Sequence, residues 1–191
     1  MKKVEEIYLK NKKEWRNWLE LHHLEKDAIW LIFYKKNSPN FNLSWSESVD
    51  ESLCFGWIDS TKKKVDSERF KQYFSKRKPK SNWSKVNKNK VKKLIDQGLM
   101  REAGFKSIEI AKENGSWTAL DSIENLEIPE DLKQGLSGQK DAIEYFEKLS
   151  KSAKKMLLYW VLSAKREKTR KRRIVEIVEN ASKQMKPKPF R

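Results

Sequence analysis

Residue types that build particular chemical sites are scarce in this chain of 191 residues. Its one cysteine, Cys54, excludes an internal disulfide, and with only two histidines to join it we expect no metal site. The 6 glycines stand singly and form no phosphate-binding loop, so we expect no cofactor. The longest apolar runs, such as residues 29–34, are far shorter than the ~20 residues that span a membrane, and we expect no transmembrane segment.

Acidic residues are also few compared with basic ones, and the formal net charge is +16. Residues 62–93, the first basic block, contain 14 basic and 2 acidic residues. Residues 163–191, the second basic block, contain 11 basic and 3 acidic residues. The blocks therefore carry +12 and +8, and the remainder of the chain carries −4. Concentrated positive charge attracts polyanions, so the candidate partners are nucleic acid, an acidic protein and an anionic membrane surface.

The first half of the chain contains both helical and extended patterns. Ser44 and Glu47 are spaced as a capping box, and Gly56 is placed to end the helix that they begin. After Asp66, aromatic and polar residues alternate with a period of two, which is typical of a strand in a hairpin. The predicted elements are a helix at 11–22, a strand at 27–36, the helix that follows Ser44, and hairpin strands at 57–65 and 68–76.

The second half is predicted to be helical. One predicted helix ends at Gly98. Five further helices are predicted at about 101–114, 130–136, 140–149, 152–164 and 167–183. Strands that are followed by helices, without alternation, predict an α+β fold with a small antiparallel sheet and helices in the N-terminal half and a helical C-terminal half. We divide the chain into an α+β part with the basic hairpin at 1–98, a helical part packed on it at 99–185, and a flexible basic tail at 186–191.

Four segments are distinctive in combination: ESLCFGWIDS at 51–60, KRKPKSNWSKVNKNKV at 76–91, GLMREAGFKSIEIAKENGSW at 98–117 and LSAKREKTRKRRI at 162–174. In this order they closely resemble the bacterial YdeI/OmpD-associated family, also labelled bacteriocin-protection proteins. The resemblance extends over most of the chain. It implies a bacteriocin-protection, stress or envelope-associated role, and it implies no set of catalytic residues.

A group of residues around the junction of the second helix and the hairpin is a candidate pocket for a small ligand or for catalysis. The alternative interpretation is structural, because Cys54 lies in the last turn of a predicted helix, where a thiol among apolar neighbours is usually buried. Asp59 then serves as an ion-pair partner for basic strands or as a hydrogen-bond acceptor in a turn. We assign no catalytic residue. The group combines a thiol, carboxylates, indole rings and a cation: Glu51, Cys54, Trp57, Asp59, Arg69 and Trp83.

Cations and aromatic rings are interleaved in the first basic block, a pattern found where phosphates meet cations and bases stack on rings. The alternative is a solvated hairpin, in which Phe70 and Phe74 face the core and lysines protect the sheet edge. The rings are Phe70, Tyr73, Phe74 and Trp83. The candidate anion-binding residues of this block are Lys62, Lys63, Lys64, Lys71, Lys76, Arg77, Lys78 and Lys80.

The last predicted helix joins a cationic cluster to an apolar stripe. Arg170, Arg172 and Arg173 are further candidates for anion binding, and Ile174 and Ile177 belong to the stripe. Such a helix can make a peripheral membrane contact, or it can pack its stripe on the preceding helix of its own domain.

Taken together, these patterns predict a non-enzymatic protein with a basic surface for an acidic partner. The alternative is a small-ligand binder or an enzyme that uses the pocket near Glu51, Cys54 and Asp59. No charged and then apolar leader follows Met1, so we expect a cytoplasmic location.

Overall fold

The structure is a computed structural model that describes residues 4–190. The chain divides into two compact units, with the division between Ala119 and Leu120. The sequence places a boundary after Gly98 instead. The difference arises because residues beyond Gly98 pack on the first unit: the Arg101 N–H donates to the Cys54 carbonyl at 3.0 Å, and a helix that begins at Glu102 follows.

The first unit contains four strands and four helices among its described residues. Each predicted element is present, although the predicted bounds differ by a few residues. The elements are β1 (Glu6–Tyr8), α1 (Lys12–His22), β2 (Ala28–Tyr34), α2 (Trp45–Cys54), β3 (Trp57–Lys64), β4 (Arg69–Lys76), α3 (Lys85–Asp96) and α4 (Glu102–Glu113).

The predicted capping box at α2 is confirmed. The Ser44 side chain accepts a hydrogen bond from the Glu47 N–H, and the Glu47 carboxylate accepts one from the Ser44 N–H at 2.9 Å. Gly56 follows the helix with a φ of 70°, a conformation that glycine adopts readily. These local signals fix where α2 begins and where the chain turns into β3.

The four strands form one sheet in the order β1-β2-β4-β3. β2 pairs with β4 and β4 with β3 in antiparallel fashion, but β1 pairs with β2 in parallel. The prediction of a purely antiparallel sheet is therefore wrong, and the α+β class is confirmed. The physical reason is that α1 carries the chain back between β1 and β2, a crossover that places two strands side by side in the same direction.

One face of this sheet, the inner face, carries the core of the first unit. Ile29, Leu31 and Phe33 of β2 are fully buried there with Phe74 of β4. The Trp15 ring of α1 lies 5.4 Å from the Phe74 ring, between ring centroids. Helices therefore cover the inner face, and the alternate residues of the strands point to the opposite face.

The second unit is helical. Its core includes the buried residues Leu132, Leu136, Phe146 and Val161. The Phe190 ring lies 5.3 Å from the Trp160 ring in a segment that the sequence predicts to be a flexible tail. The elements are α5 (Asp121–Glu124), α6 (Glu130–Ser137), α7 (Lys140–Lys148), α8 (Lys151–Leu162), α9 (Glu167–Ala181) and a 3-10 helix (Lys188–Phe190).

Within the described residues 4–190, no helix is long and apolar enough to cross a membrane. The apolar stripe of α9 packs in the core of its own unit, where Ile174, Ile177 and Val178 are buried with Leu157 and Leu158 of α8.

Candidate functional site

The face of the sheet opposite the core carries a group of rings and cations that we call the outer sheet face. Strand register places its members together: Trp30 is paired with Tyr73, Tyr34 with Arg69, and Lys63 with Lys71. Tyr8 of β1 is paired with Ile32 on the same face. The rings and cations of the outer sheet face are Tyr8, Trp30, Tyr34, Lys63, Arg69, Lys71 and Tyr73, and the carboxylate Glu6, which is paired with Trp30, lies on the same face.

The rings of the outer sheet face stand edge to face in two pairs. The Trp30 and Tyr73 rings are 5.1 Å apart with an interplanar angle of 72°, and the Tyr8 and Tyr34 rings are 5.8 Å apart at 80°. Tyr8 is 44% exposed, and the other three rings are partly exposed. Tyrosine and tryptophan suit such a surface because each has an apolar ring and a polar atom that can remain in water.

Cations surround these rings. The Nζ atoms of Lys63 and Lys71 lie 5.1 and 5.2 Å from the Trp30 ring centroid, within the range of a cation–π contact. Lys71 also forms an ion pair with Glu6. Lys63 has no carboxylate partner among the described residues, so its charge is available to a ligand.

Arg69 is held at the end of the hairpin. Its guanidinium forms a 2.7 Å ion pair with Asp66, and its Cζ lies 5.9 Å from the Tyr34 ring centroid. The Asp66 carboxylate also accepts from backbone N–H groups, and the Arg69 contact holds its pKa below the usual range. Arg69 therefore places its guanidinium group on the outer sheet face, where the Asp66 carboxylate already compensates the positive charge.

The other lysines of β3 do not share this face. Lys62 is paired with the buried Gln72 and Lys64 with Phe70, so both lie on the side of the inner face. The Lys62 Nζ is 4.0 Å from the Phe70 ring centroid. The structure thus divides the predicted anion-binding residues of the hairpin between the two faces of the sheet.

The remaining cations of the first basic block follow β4. Lys76 forms a 3.0 Å ion pair with Asp27, and the Arg77 guanidinium lies 3.8 Å above the Trp83 ring centroid. Lys78 and Lys80 are exposed in the loop before α3.

In the second basic block, two of the three predicted arginines have internal partners. Arg170 forms two hydrogen bonds with the Asp131 carboxylate, at 2.6 and 2.8 Å. Arg173 donates to the Ser163 hydroxyl and lies 5.3 Å from the Trp160 ring centroid. Arg172 is exposed and has no ion pair among the described residues.

The residues of the candidate pocket are distributed among different contacts, beginning with Glu51 and Cys54. Both side chains are buried, and Glu51 forms ion pairs with Arg16 at 2.6 Å and Lys12 at 3.2 Å. Burial, together with the Glu51 charge, raises the pKa of the Cys54 thiol to about 11. A thiol with this pKa is protonated at neutral pH and is a poor nucleophile.

The other members of the candidate pocket have separate partners. The Trp57 indole N–H donates to the His23 carbonyl at 3.3 Å. The Asp59 carboxylate accepts hydrogen bonds from Trp45 and Gln72. Arg69 pairs with Asp66, as described above, and Trp83 lies beneath Arg77 and 4.9 Å from the Trp117 ring. Of the six, Glu51 and Cys54 lie close enough to interact electrostatically, and Cys54, Trp57 and Trp83 belong to one buried core cluster, whereas Asp59 and Arg69 have the polar partners named above.

The sequence pattern predicts one of the four rings of the outer sheet face. Of its candidates, Tyr73 lies on that face, while Phe74 and Trp83 are buried and Phe70 packs against the core. The rings that it missed are Tyr8, Trp30 and Tyr34. A partial signal lies in AIWLIFY at 28–34. Trp30 and Tyr34, whose rings carry a polar atom, alternate with the purely apolar residues of the opposite face, but Ala28 and Ile32 on their own face are also apolar.

The described residues contain no group of three or more histidine, cysteine, aspartate or glutamate side chains that could hold a metal ion. Beside the Glu6 carboxylate, the outer sheet face presents rings, ammonium groups and a guanidinium group, which bind aromatic and anionic ligands.

Comparison with known protein families gives two matches. Residues 7–107 match a domain of unknown function, DUF8412, and residues 125–184 match OmdA, described as bacteriocin-protection, YdeI or OmpD-associated. The second match confirms the family resemblance over residues 125–184, which contain the segment at 162–174, and not over most of the chain. The segments at 51–60 and 76–91 lie in the first match.

Neither a search of curated proteins nor a search of solved structures gives a significant match. The first family match covers more than half of the chain, and the second covers most of the helical unit. The chain thus belongs to the DUF8412 family and carries a YdeI/OmpD-associated segment in its second unit.

Proposed function

We propose that this protein binds single-stranded nucleic acid on the outer sheet face, as a non-enzymatic cytoplasmic protein. The observation that supports the proposal is the pairing of the partly exposed Trp30 and Tyr73 rings beside Lys63 and Lys71. Stacking of bases on rings and contact of phosphates with cations are the two interactions that bind single strands without sequence preference.

The strand geometry favours a single strand over a duplex. Bases in a duplex are stacked on one another, and their faces are closed to protein side chains, whereas a single strand can lay its bases on an open sheet. Rings from three neighbouring strands, β1, β2 and β4, lie on the outer sheet face. A strand that crosses the sheet would meet these rings in succession.

Charge favours an anionic ligand. Residues 1–119 contain 26 basic and 16 acidic residues, a net charge of +10. Neutralising phosphates with lysine and arginine releases counterions, and this release makes binding strong at low salt.

The direct test is fluorescence anisotropy of labelled oligonucleotides in a salt series. We expect the protein to bind a single strand more tightly than a duplex of the same sequence. If Lys63, Arg69 and Lys71 each neutralise one phosphate, affinity should fall by roughly one decade between about 50 and 200 mM salt. Absence of salt-dependent binding at low salt would contradict the proposal.

Ring substitutions test the site. Tyr73→Ala or Trp30→Ala should weaken single-strand binding by about 1–3 kcal/mol, since one stacking contact is lost. The matched control is Phe105→Ala, which removes a ring that is 41% exposed on α4. If all three variants bind equally well, the rings of the outer sheet face are not the binding site.

Charge substitutions distinguish a local site from net charge. The double variant Lys63→Gln/Lys71→Gln and the control Lys92→Gln/Lys93→Gln each remove two positive charges, the first from the outer sheet face and the second from α3. We expect Lys63→Gln/Lys71→Gln to reduce both the affinity for the single strand and the slope of log affinity against log salt concentration. The control should change both quantities much less. Equal losses in the two variants would indicate a general electrostatic attraction and no defined face.

An acidic protein would also be attracted by the positive charge, but it offers no bases to stack on the paired rings. In the same assay an acidic polypeptide such as polyglutamate is the appropriate competitor. We expect it to displace the oligonucleotide only at concentrations far above that of unlabelled single strand, because it competes for the lysines alone. Displacement at equal concentrations of charge would favour the acidic-protein interpretation.

A further inference from the structure

A small cavity in the first unit lies apart from the outer sheet face. It has a volume of about 200 Å³ and lies where the end of β4 meets the turn after α2 and the side of α4. No carboxylate is among the residues that line it. The polar residues that line it are His23, Lys76, Arg77, Lys78, Lys106 and Ser107.

Arg77 is the unusual group of this cavity. Its guanidinium lies 3.8 Å above the Trp83 ring, and one Nη donates to the Asn82 carbonyl at 2.6 Å. The Nε and the other Nη are buried and have no hydrogen-bond partner among the described residues. Leaving buried donors unpaired is costly, and it is more costly when the group is charged. Such donors call for an explanation, and an ion bound in the adjoining cavity is one.

The positive charge of the cavity is only partly compensated by the protein. Lys76 is paired with the exposed Asp27. Arg77, Lys78 and Lys106 form no ion pair among the described residues. Burial lowers the pKa of Arg77 to about 10, which still leaves the guanidinium charged at neutral pH. A concave surface with three such cations concentrates small anions.

The backbone at Gly56 contributes to the shape of the cavity. A Cβ atom at this residue would lie 2.7 Å from the Ala103 carbonyl oxygen, so only glycine allows α4 to approach this closely. The Gly56 carbonyl in turn accepts a 2.9 Å hydrogen bond from the Arg77 N–H. The turn, the arginine and α4 are therefore fixed against one another.

We infer that this cavity is a binding site for a compact oxyanion of the phosphate class, either inorganic phosphate or the phosphate group of a nucleoside monophosphate. The guanidinium of Arg77 and the ammonium groups of Lys78 and Lys106 supply the charge, and the Ser107 hydroxyl supplies a further donor. Arginine is suited to this role because its planar donors match the oxygens of a phosphate. The site does not depend on the nucleic-acid proposal.

Isothermal titration calorimetry on the full chain, at fixed ionic strength in chloride, tests the inference with two probes, inorganic phosphate and adenosine monophosphate. We expect saturable binding of at least one probe with one site per chain. Similar affinities would identify the phosphate group as the whole ligand, and much tighter binding of the monophosphate would identify a nucleotide. Absence of saturable binding for both probes would overturn the inference.

Two variants locate the site. Lys106→Ala removes an exposed cation that lines the cavity and should weaken binding at least threefold, and Lys80→Ala is the matched control because Lys80 does not line the cavity. Arg77→Met should abolish binding, provided that circular dichroism shows a folded protein. If Arg77→Met does not fold, Lys106→Ala decides: affinity equal to that of Lys80→Ala would overturn the inference.

Oligonucleotide binding by Lys106→Ala should be unchanged, which separates this result from the test of the outer sheet face.

Discussion

At the scale of single residues, Cys54 shows how burial determines chemistry. The thiol is buried beside Glu51, and these surroundings raise its pKa to about 11. At about pH 8, roughly one folded molecule in a thousand then has a thiolate, compared with about a quarter of unfolded chains, whose thiol has a pKa of about 8.5.

We therefore predict that Cys54 reacts with a thiol reagent such as Ellman's reagent at least about a hundredfold more slowly in the folded protein than in denaturant at the same pH. The raised pKa has a further consequence for stability. The protonated thiol contributes to the free energy of unfolding. This contribution is fully present at pH values below the unfolded pKa of about 8.5, and it is lost as the pH rises toward about 11. Rapid labelling of the folded protein at pH 8 would contradict the prediction and revive a nucleophilic role.

A second prediction for single residues concerns the buried carboxylate of Glu51. It is 2% exposed and is paired with Arg16, which also donates to the Leu99 carbonyl at 2.9 Å. Glu51→Ala leaves Arg16 without its carboxylate and should lower the free energy of unfolding by about 3 kcal/mol, as measured by urea denaturation. The double variant Arg16→Met/Glu51→Leu should be clearly more stable than Glu51→Ala, because it removes the partly buried Arg16 charge, and the Lys12 charge that it leaves unpaired is 46% exposed to water. Equal losses in the two variants would mean that packing and not charge is responsible.

At the scale of elements, the signals that the sequence contains are local. The capping box at Ser44, the turn at Gly56 and the two strands of the hairpin are recognisable because neighbouring residues determine them. β1 is not recognisable in this way, since it is three residues long and is a strand only because it pairs with β2. The inner and outer faces of β2 are also hard to distinguish, because apolar residues occupy both.

The contact between α4 and α2 depends on one position, Gly104. A Cβ atom there would lie 2.3 Å from the Cys54 carbonyl oxygen, so Gly104→Ala must push the two helices apart. We predict a loss of about 2 kcal/mol in the free energy of unfolding of the first unit. The control is Gly138→Ala in the second unit, where the nearest atoms are 3.5 Å away and φ is −67°; it should leave the unfolding of the first unit unchanged. A Gly104→Ala variant as stable as this control would show that α4 is not tightly packed on α2.

At the scale of the whole molecule, the two family matches coincide with the two compact units. Residues 7–107 lie within the first unit and residues 125–184 within the second, and each unit has its own core. The boundary could not be read from the sequence because the sequence shows α4 as one more helix in a helical half. Its membership of the first unit depends on contacts distant in the chain, such as those of Gly104 with Cys54 and of Trp117 with Trp83.

This difference in boundary gives a test with two fragments. A chain of residues 1–119 retains α4 and Trp117 and should unfold cooperatively, because a unit of this size with a continuous core can fold alone. A chain of residues 1–98 ends before both, and it exposes the buried surfaces of Cys54 and Trp83; we expect it to aggregate or to lack a cooperative transition in urea. If the 1–98 fragment folds as stably as the 1–119 fragment, α4 is not part of the first unit.

The longer fragment also tests where the nucleic acid binds. Since the rings and cations of the outer sheet face lie between Tyr8 and Tyr73, this fragment should keep the preference for single strands. If the 1–119 fragment folds but does not bind, the interface needs residues of the second unit.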